Sequence, residues 1–217
     1  AGQMGLPVNK FICASNRNNV LTDFINTGRY DLKRDFSATI SPSMDILISS
    51  NLERFLYELS GRNPHTVIEL MQQLKESGAY EITPEMKSKM GNFYGNYADD
   101  QETVQTIGEL YRDYGYVVDT HTAVGYRVYK KYSEESGDAT PALIASTASP
   151  FKFGRSVAAG IGIETDERSD FELIDMLSEY SGLAVPEPIR GIADRPVLHP
   201  ETCKKEEMKQ VVEEYLK

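Results

Sequence analysis

The stretch KFICASNRNNVLTDFINTG, Lys10 to Gly28, changes its period midway. Its opening, KFICAS, is a short apolar run that reads as a strand buried on both faces. Its close puts Val20, Leu21, Phe24 and Ile25 on one helical face, with Gly28 where a left-handed cap belongs. An Asn-rich turn joins the two. Strand, polar turn, helix begins an α/β unit, and the turn lies at the carboxyl end of the strand, where open α/β sheets bind ligands.

Outward from this unit the chain reads as helix-rich. A helical pattern from Met44 carries Ile48, Leu52, Phe55, Leu56 and Leu59 as its stripe. Asn63-Pro64 and Thr83-Pro84 each supply an N-cap and a first-turn proline, and Gly78 closes the first of these two helices. A helix from Asp100 carries Val104, Ile107, Leu110 and Tyr111 and stops at Gly115; another, capped by Asp119-Thr120, runs to about Tyr132. A short helix with Val157 and Ala158 follows Pro150. Ser169 with Glu172 forms a capping box for a helix ending at Gly182. VPEPIRGIADRPVL, Pro-rich, runs over a surface, and Met208, Val211, Val212 and Tyr215 mark a C-terminal amphipathic helix. PALIAST, Pro141 to Thr147, reads as a second buried strand. Two strands are too few for a stable open sheet, so neighbouring strands are expected in a preceding segment. AGQMGLP resembles a helix end with its Gly cap and a Pro, and the chain has no initiator Met, which suits a piece of a longer protein.

Of 217 residues, 40% are hydrophobic and 26% charged, the make-up of an ordinary globular domain. The net charge of −10 disfavours nucleic acid and anionic membrane surfaces as partners, because both repel an acidic chain. No apolar run approaches the ~20 residues of a membrane span, and the N-terminus lacks the pattern of a signal peptide. Cys13 and Cys203 form no CxxC pair, and Cys13 reads as a buried hydrophobe; both fit a cytoplasmic protein.

The candidate chemistry sits at strand ends. STASPFKF, Ser146 to Phe153, closes the second apolar run with two adjacent hydroxyls, a third two residues on, a Pro and a Lys between two Phe. Ser146 and Thr147 are placed to meet a small molecule, and Thr is the stiffer of the two; the alternative is turn and cap formation. Asn16 and Asn19 carry the same two readings. His121 lies in the first turn of a helix, whose dipole favours a neutral imidazole, and is either a site-edge donor or acceptor or a capping residue. Lys152 is either a desolvated amine suited to a Schiff base or a solvated point charge. His65 and His199, each beside Pro, receive no role. No HExxH, GxSxG, P-loop or GxGxxG occurs, and GIG at Gly160 is a weak look-alike.

Taken together, GLPVNKFICASNRNNVLTDFINTGRY, TISPSMDILISSNLER, DTHTAVGYRVY and STASPFKF resemble threonine synthase, collinearly from Gly5 to about Arg195. The resemblance implies a partial tryptophan-synthase-β-like α/β domain of fold type II, helix-rich with a short, mostly parallel sheet. It implies that residues 1–217 are the C-terminal, larger-domain portion of the enzyme. The lysine that holds pyridoxal 5′-phosphate, the loop that cradles its phosphate and much of the smaller domain then lie upstream, so no Schiff-base lysine is expected here and the chain alone should be inactive. The activity implied is that of a carbon–oxygen lyase acting on phosphates, converting O-phospho-L-homoserine and water to L-threonine and phosphate. By the same resemblance a Ser or Thr at the end of a late strand faces the pyridine nitrogen, which matches Thr147 best, with Ser146 as alternate. A neutral hydroxyl there is expected to temper the cofactor as electron sink. His121 and Thr122 are expected to line the cofactor ring. Asn16, Asn19, Ser41, Ser43 and Asn51 are expected to border the substrate pocket, with Lys152 near the substrate phosphate. The competing readings are a non-catalytic α/β small-molecule binding module without the lysine, and a helical interaction protein with an acidic face.

Overall fold

The structure, a computed structural model, describes residues 2–217. Two units divide the chain, one reaching Ala184 and the other comprising Val185–Lys217. In the first unit β1 (Phe11–Ser15), α1 (Val20–Thr27) and β2 (Arg29–Asp31) follow one another, then α2 (Leu52–Leu59), α3 (Pro64–Ser77), β3 (Ala79–Glu81), α4 (Pro84–Ser88) and β4 (Phe93–Tyr97). Four helices complete it: α5 (Asp100–Tyr114), α6 (Thr120–Ser136), α7 (Gly154–Gly160) and α8 (Asp170–Ser181). β1 pairs in parallel with β4, Phe11 opposite Phe93 through Ser15 opposite Tyr97. β2 pairs antiparallel with β3.

Caps start and stop these helices as the residue types require. The Asn63 side chain accepts from His65 N–H at 3.0 Å, and Thr83 accepts from Met86 N–H at 3.2 Å. Gly28, at φ 83°, turns the chain from α1 into β2 and returns its N–H to Phe24 C=O at 2.7 Å. Asp99 and Glu102 form a capping box at the start of α5. Asp99→Ala is expected to cost about 1 kcal/mol in urea unfolding, the usual worth of such a cap; no change would mean that the end of α5 draws its donors' partners from elsewhere.

The main core gathers Val20 and Phe24 from α1, Tyr30 from β2, Leu56 and Leu59 from α2, Leu70 and Leu74 from α3, and Tyr80 from β3. Phe24 meets Tyr30 and Tyr80 edge-on, at 6.1 and 6.0 Å between centroids, while the two tyrosines stack at 5.3 Å. A smaller cluster of Ala158, Ile163 and Leu173 joins α7 to α8. α5 and α7 approach so closely that a Cβ on Gly108 would stand 2.6 Å from Gly160 C=O, so only glycine fits there.

Three sequence expectations are corrected. PALIAST is not a buried strand: residues 141–147 carry no ladder, and Leu143 is 97% exposed. An apolar run becomes a strand only with a neighbour to pair, and β1 takes β4 instead. The helix expected from Met44 begins at Leu52, and Ile48 is exposed. The Tyr30 hydroxyl explains this, donating to Leu47 C=O at 2.7 Å and accepting Ser49 N–H at 3.0 Å, groups a helix would need for itself. β1 is half-buried rather than sheathed on both faces, and Cys13 with it, although burial still pushes that thiol up.

At the end of α6, Asp138 accepts from Asn9 and from the Tyr132 hydroxyl, each at 2.7 Å, and from Thr140 N–H at 2.9 Å. Hydrogen bonds from Thr140, and then from Tyr132, draw its carboxyl down to about 2 from an ordinary 3.8. A depressed carboxylate stabilises the fold above its unfolded value and loses that contribution as pH falls through the folded one. The Asn9–Asp138 tie is therefore expected to hold at pH 4 and fail near pH 2. An Asp138 carboxyl titrating near 4 by NMR would contradict this.

The second unit holds short 3-10 turns at Glu187–Ile189, Ile192–Asp194 and Lys205–Glu207, then α9 (Met208–Tyr215). Among the described residues no helix is long and apolar enough to cross a membrane.

Candidate active site

Three segments distant in sequence meet at the N-terminus of α6. Asp119 is the N-cap, its side chain wholly buried, and its Oδ1 accepts His121 N–H at 2.8 Å and Thr122 N–H at 3.3 Å. Oδ1 also lies 3.0 Å from His121 Nδ1, while Oδ2 takes the Thr122 hydroxyl. Thr122 Oγ1 is in turn 2.9 Å from Ser146 Oγ. On the other side, Ser43 N–H donates to His121 Nε2 at 3.1 Å. A nitrogen that accepts carries a lone pair, so the imidazole proton is assigned to Nδ1, facing the carboxylate. Phe153 closes the edge with its ring 5.0 Å from that of His121. The result is one hydrogen-bonded line from the 3-10 turn at Pro42–Met44 to Ser146, built on a helix end that the sequence itself caps.

Behind the line a buried polar network holds the turn. Asn16 Nδ2 lies 2.8 Å from Thr39 Oγ1, 2.7 Å from Asp45 Oδ1, and 3.1 and 3.2 Å from the hydroxyl and carbonyl of Ser41. Asn18 Nδ2 donates to Ser37 C=O at 2.7 Å and to Asp45 Oδ1 at 2.9 Å. The Asn-rich turn after β1 thus grips residues 37–45 and presents Ser43 to His121. Satisfied buried networks of this kind fix a single loop geometry.

The expected site residues are placed unequally. Asn16, Ser41, Ser43, His121, Thr122 and Ser146 share this arrangement, Ser43 through its backbone. Thr147 is exposed, one residue beyond the hydroxyl that Thr122 holds. Lys152 is exposed with Nζ 5.3 Å above the Phe153 ring. Asn19 accepts from Arg34 at 2.9 Å, and Arg34 also pairs with Asp23. Asn51 accepts from Arg54 at 2.6 Å on an exposed surface. Neither of these two belongs to the network. Asp119, Thr39, Asp45 and Asn18 escaped the sequence reading. Asp119 reads there only as a cap, and its second role shows once Ser146 and Ser43 are beside it.

Residues 122–213 match the family model described as threonine synthase, C-terminal. The threonine synthase-like 1 protein of Homo sapiens is 36% identical over 185 residues, covering 84% of this chain and 24% of that protein. The crystal structure of threonine synthase from yeast superimposes with a TM-score of 0.80 at 28% identity, covering 99% of this chain and 43% of its own. The PLP-bound threonine synthase of Brucella melitensis gives a TM-score of 0.69 at 35% identity, covering 85% and 38%. The chain thus spans between about a quarter and two fifths of the length of these relatives. Family model, sequence relative and solved structures agree: the chain belongs to the threonine synthase family and corresponds to its C-terminal part.

Proposed function

We propose that this chain forms one wall of a threonine synthase active site and works with an upstream segment that carries the cofactor lysine and the cradle for the cofactor phosphate. The whole protein then converts O-phospho-L-homoserine and water to L-threonine and phosphate. The observation that carries the reading is the Asp119–Thr122–Ser146 line, which anchors one exposed hydroxyl at 2.9 Å to the helix start that also carries His121, whose ring meets that of Phe153.

These residues fit a pyridine ring. Such a ring needs a single polar partner at its nitrogen and flat, weakly polar flanks. Ser146 supplies the partner, and the imidazole and phenyl rings supply the edge. Pyridoxal 5′-phosphate, when bound, supplies the electron sink for proton removal from carbon. The protein's own part is positioning. Thr122 fixes the Ser146 hydroxyl, with Thr147 as the alternate. His121, neutral and held between Asp119 and Ser43, keeps the 3-10 turn against the site. Asn16 and Ser41 shape the turn from behind, and Lys152 offers an exposed ammonium to a substrate phosphate as a point charge.

Three measurements test this. The complete protein that carries this chain is expected to form threonine from O-phospho-L-homoserine, one phosphate released per threonine; no threonine would overturn the reading. Treated alone with pyridoxal 5′-phosphate and borohydride, the chain is expected to gain no stoichiometric adduct at one lysine, whereas full labelling of Lys152 would make it the Schiff-base residue and overturn the assignment. In the complete protein Ser146→Ala is expected to lower turnover about tenfold, the worth of one hydrogen bond at the upper end of the neutral range, and Thr147→Val less.

A further inference from the structure

We propose that Asp45 is a positioning residue for the reaction: its carboxylate latches the loop 37–45 onto the Asn-rich turn after β1 and holds that wall of the site in its ligand-binding shape. The proposal rests on the threonine synthase reading above and adds to it a residue that works through its neighbours in the loop.

Apolar burial does not hold this loop. Between Leu32 and Leu52 no described residue joins the main core, and Phe36 is 58% exposed. Hydrogen bonds hold it, and they converge on one group. Asp45 Oδ1 accepts from Asn16 Nδ2 at 2.7 Å, from Asn18 Nδ2 at 2.9 Å and from the Thr39 hydroxyl at 2.7 Å. Oδ2 accepts Thr39 N–H at 2.9 Å, an N–H with no backbone acceptor among the described residues. Three donors on one oxygen suit a carboxylate, which only accepts and whose charge strengthens each bond.

The place of Asp45 along the loop matters as much as its charge. Asn18 also reaches Ser37, and Asn16 also reaches Ser41. Both of those ties precede the 3-10 turn at Pro42–Met44. Asp45 is the tie that follows it, so the turn is bracketed from both sides and carries Ser43 N–H to His121 Nε2. Without Asp45 the turn is tethered at one end and the loop samples several shapes. Apparent affinity then falls with the fraction of time spent in the ligand-binding shape, while a complex once formed holds the loop in place. The expected signature is a raised KM at nearly constant kcat, which a general loss of stability does not produce.

Asp45→Asn keeps the shape and breaks the latch. With its oxygen in the place of Oδ1, its NH2 faces Thr39 N–H; turned over, its NH2 faces the Asn16 and Asn18 amides. In the complete protein this variant is expected to raise KM for O-phospho-L-homoserine about tenfold, as a loop seated about one tenth of the time would, with kcat within about twofold. Amide exchange at residues 37–45 is expected to quicken, while exchange in α1 keeps its wild-type rate. Thr39→Val removes one hydroxyl from the latch and is expected to raise KM about threefold; it decides the matter if Asp45→Asn does not fold. Ser169→Ala weakens the cap of α8 alone and is expected to lower stability at unchanged KM. A wild-type KM in both loop variants, a fall in kcat at constant KM, or an equal rise of KM in Ser169→Ala overturns the proposal. A complete wild-type protein that forms no threonine overturns the functional reading instead. Amide exchange on that same protein then still decides the latch, and rates at residues 37–45 unchanged by Asp45→Asn overturn it.

Discussion

Phe24→Ala is expected to destabilise the first unit by about 3–5 kcal/mol, the range for deleting a buried phenyl ring. Phe24 is wholly buried, and its ring bridges the stacked pair Tyr30 and Tyr80. Removing it empties the space between α1 and the paired strands β2 and β3. The effect should reach the site, because α1 follows directly from the Asn16–Asn19 turn, and Tyr30 holds the Leu47–Ser49 backbone that follows Asp45. Urea unfolding measures the loss, and amide exchange at residues 37–45 should rise with it. A loss under 1 kcal/mol would mean that the core closes over the gap and that the packing described here is not what holds α1.

Thr122→Val should cost about 1.5–3 kcal/mol, the worth of a hydrogen bond to a charged group. Valine matches threonine in shape, so the core around α6 is undisturbed. What changes is Asp119 Oδ2, which sits in a wholly buried side chain and loses the hydroxyl it faces. Thr122→Ser restores the hydroxyl and should recover most of the loss in the same urea experiment. A valine variant within 0.5 kcal/mol of wild type would show that Oδ2 has another donor, and the line to Ser146 would lose its anchor.

Helix punctuation was the most legible feature of the sequence. Asn63-Pro64, Thr83-Pro84, Asp119 and Ser169 cap helices through their own side chains, and Gly28, Gly78, Gly115 and Gly182 end them in the left-handed region. These signals are local, carried by a residue and its neighbours within four positions, so they survive without tertiary information. Strands were legible only where apolar residues ran together. β2, β3 and β4, with sequences RYD, AYE and FYGNY, are too short or too polar to show a period, and pairing defines them. PALIAST failed for the opposite reason, since its apolar run announces burial that no strand of this chain provides.

The site divides in the same way. His121 and Ser146 stood out as unusual residues at element ends, and the fold brings both to one line. Asp119 and Asp45 did not, because a carboxylate in a turn reads as a cap until the donors arriving from 3 to 29 residues away are in place. The resemblance places Thr147 first and Ser146 second at the ring nitrogen, and Ser146 is the one that Thr122 reaches. Both residues are exposed, and which of two adjacent hydroxyls meets Thr122 is set by backbone direction, which residue type does not encode.

The most direct measurement is a crystal structure of the complete protein with pyridoxal 5′-phosphate bound. The ring nitrogen should lie within hydrogen-bond distance of Ser146 Oγ, about 2.7–3.2 Å, with His121 and Phe153 at the ring edge. A ring nitrogen turned to solvent, or a cofactor seated away from the start of α6, would contradict the account.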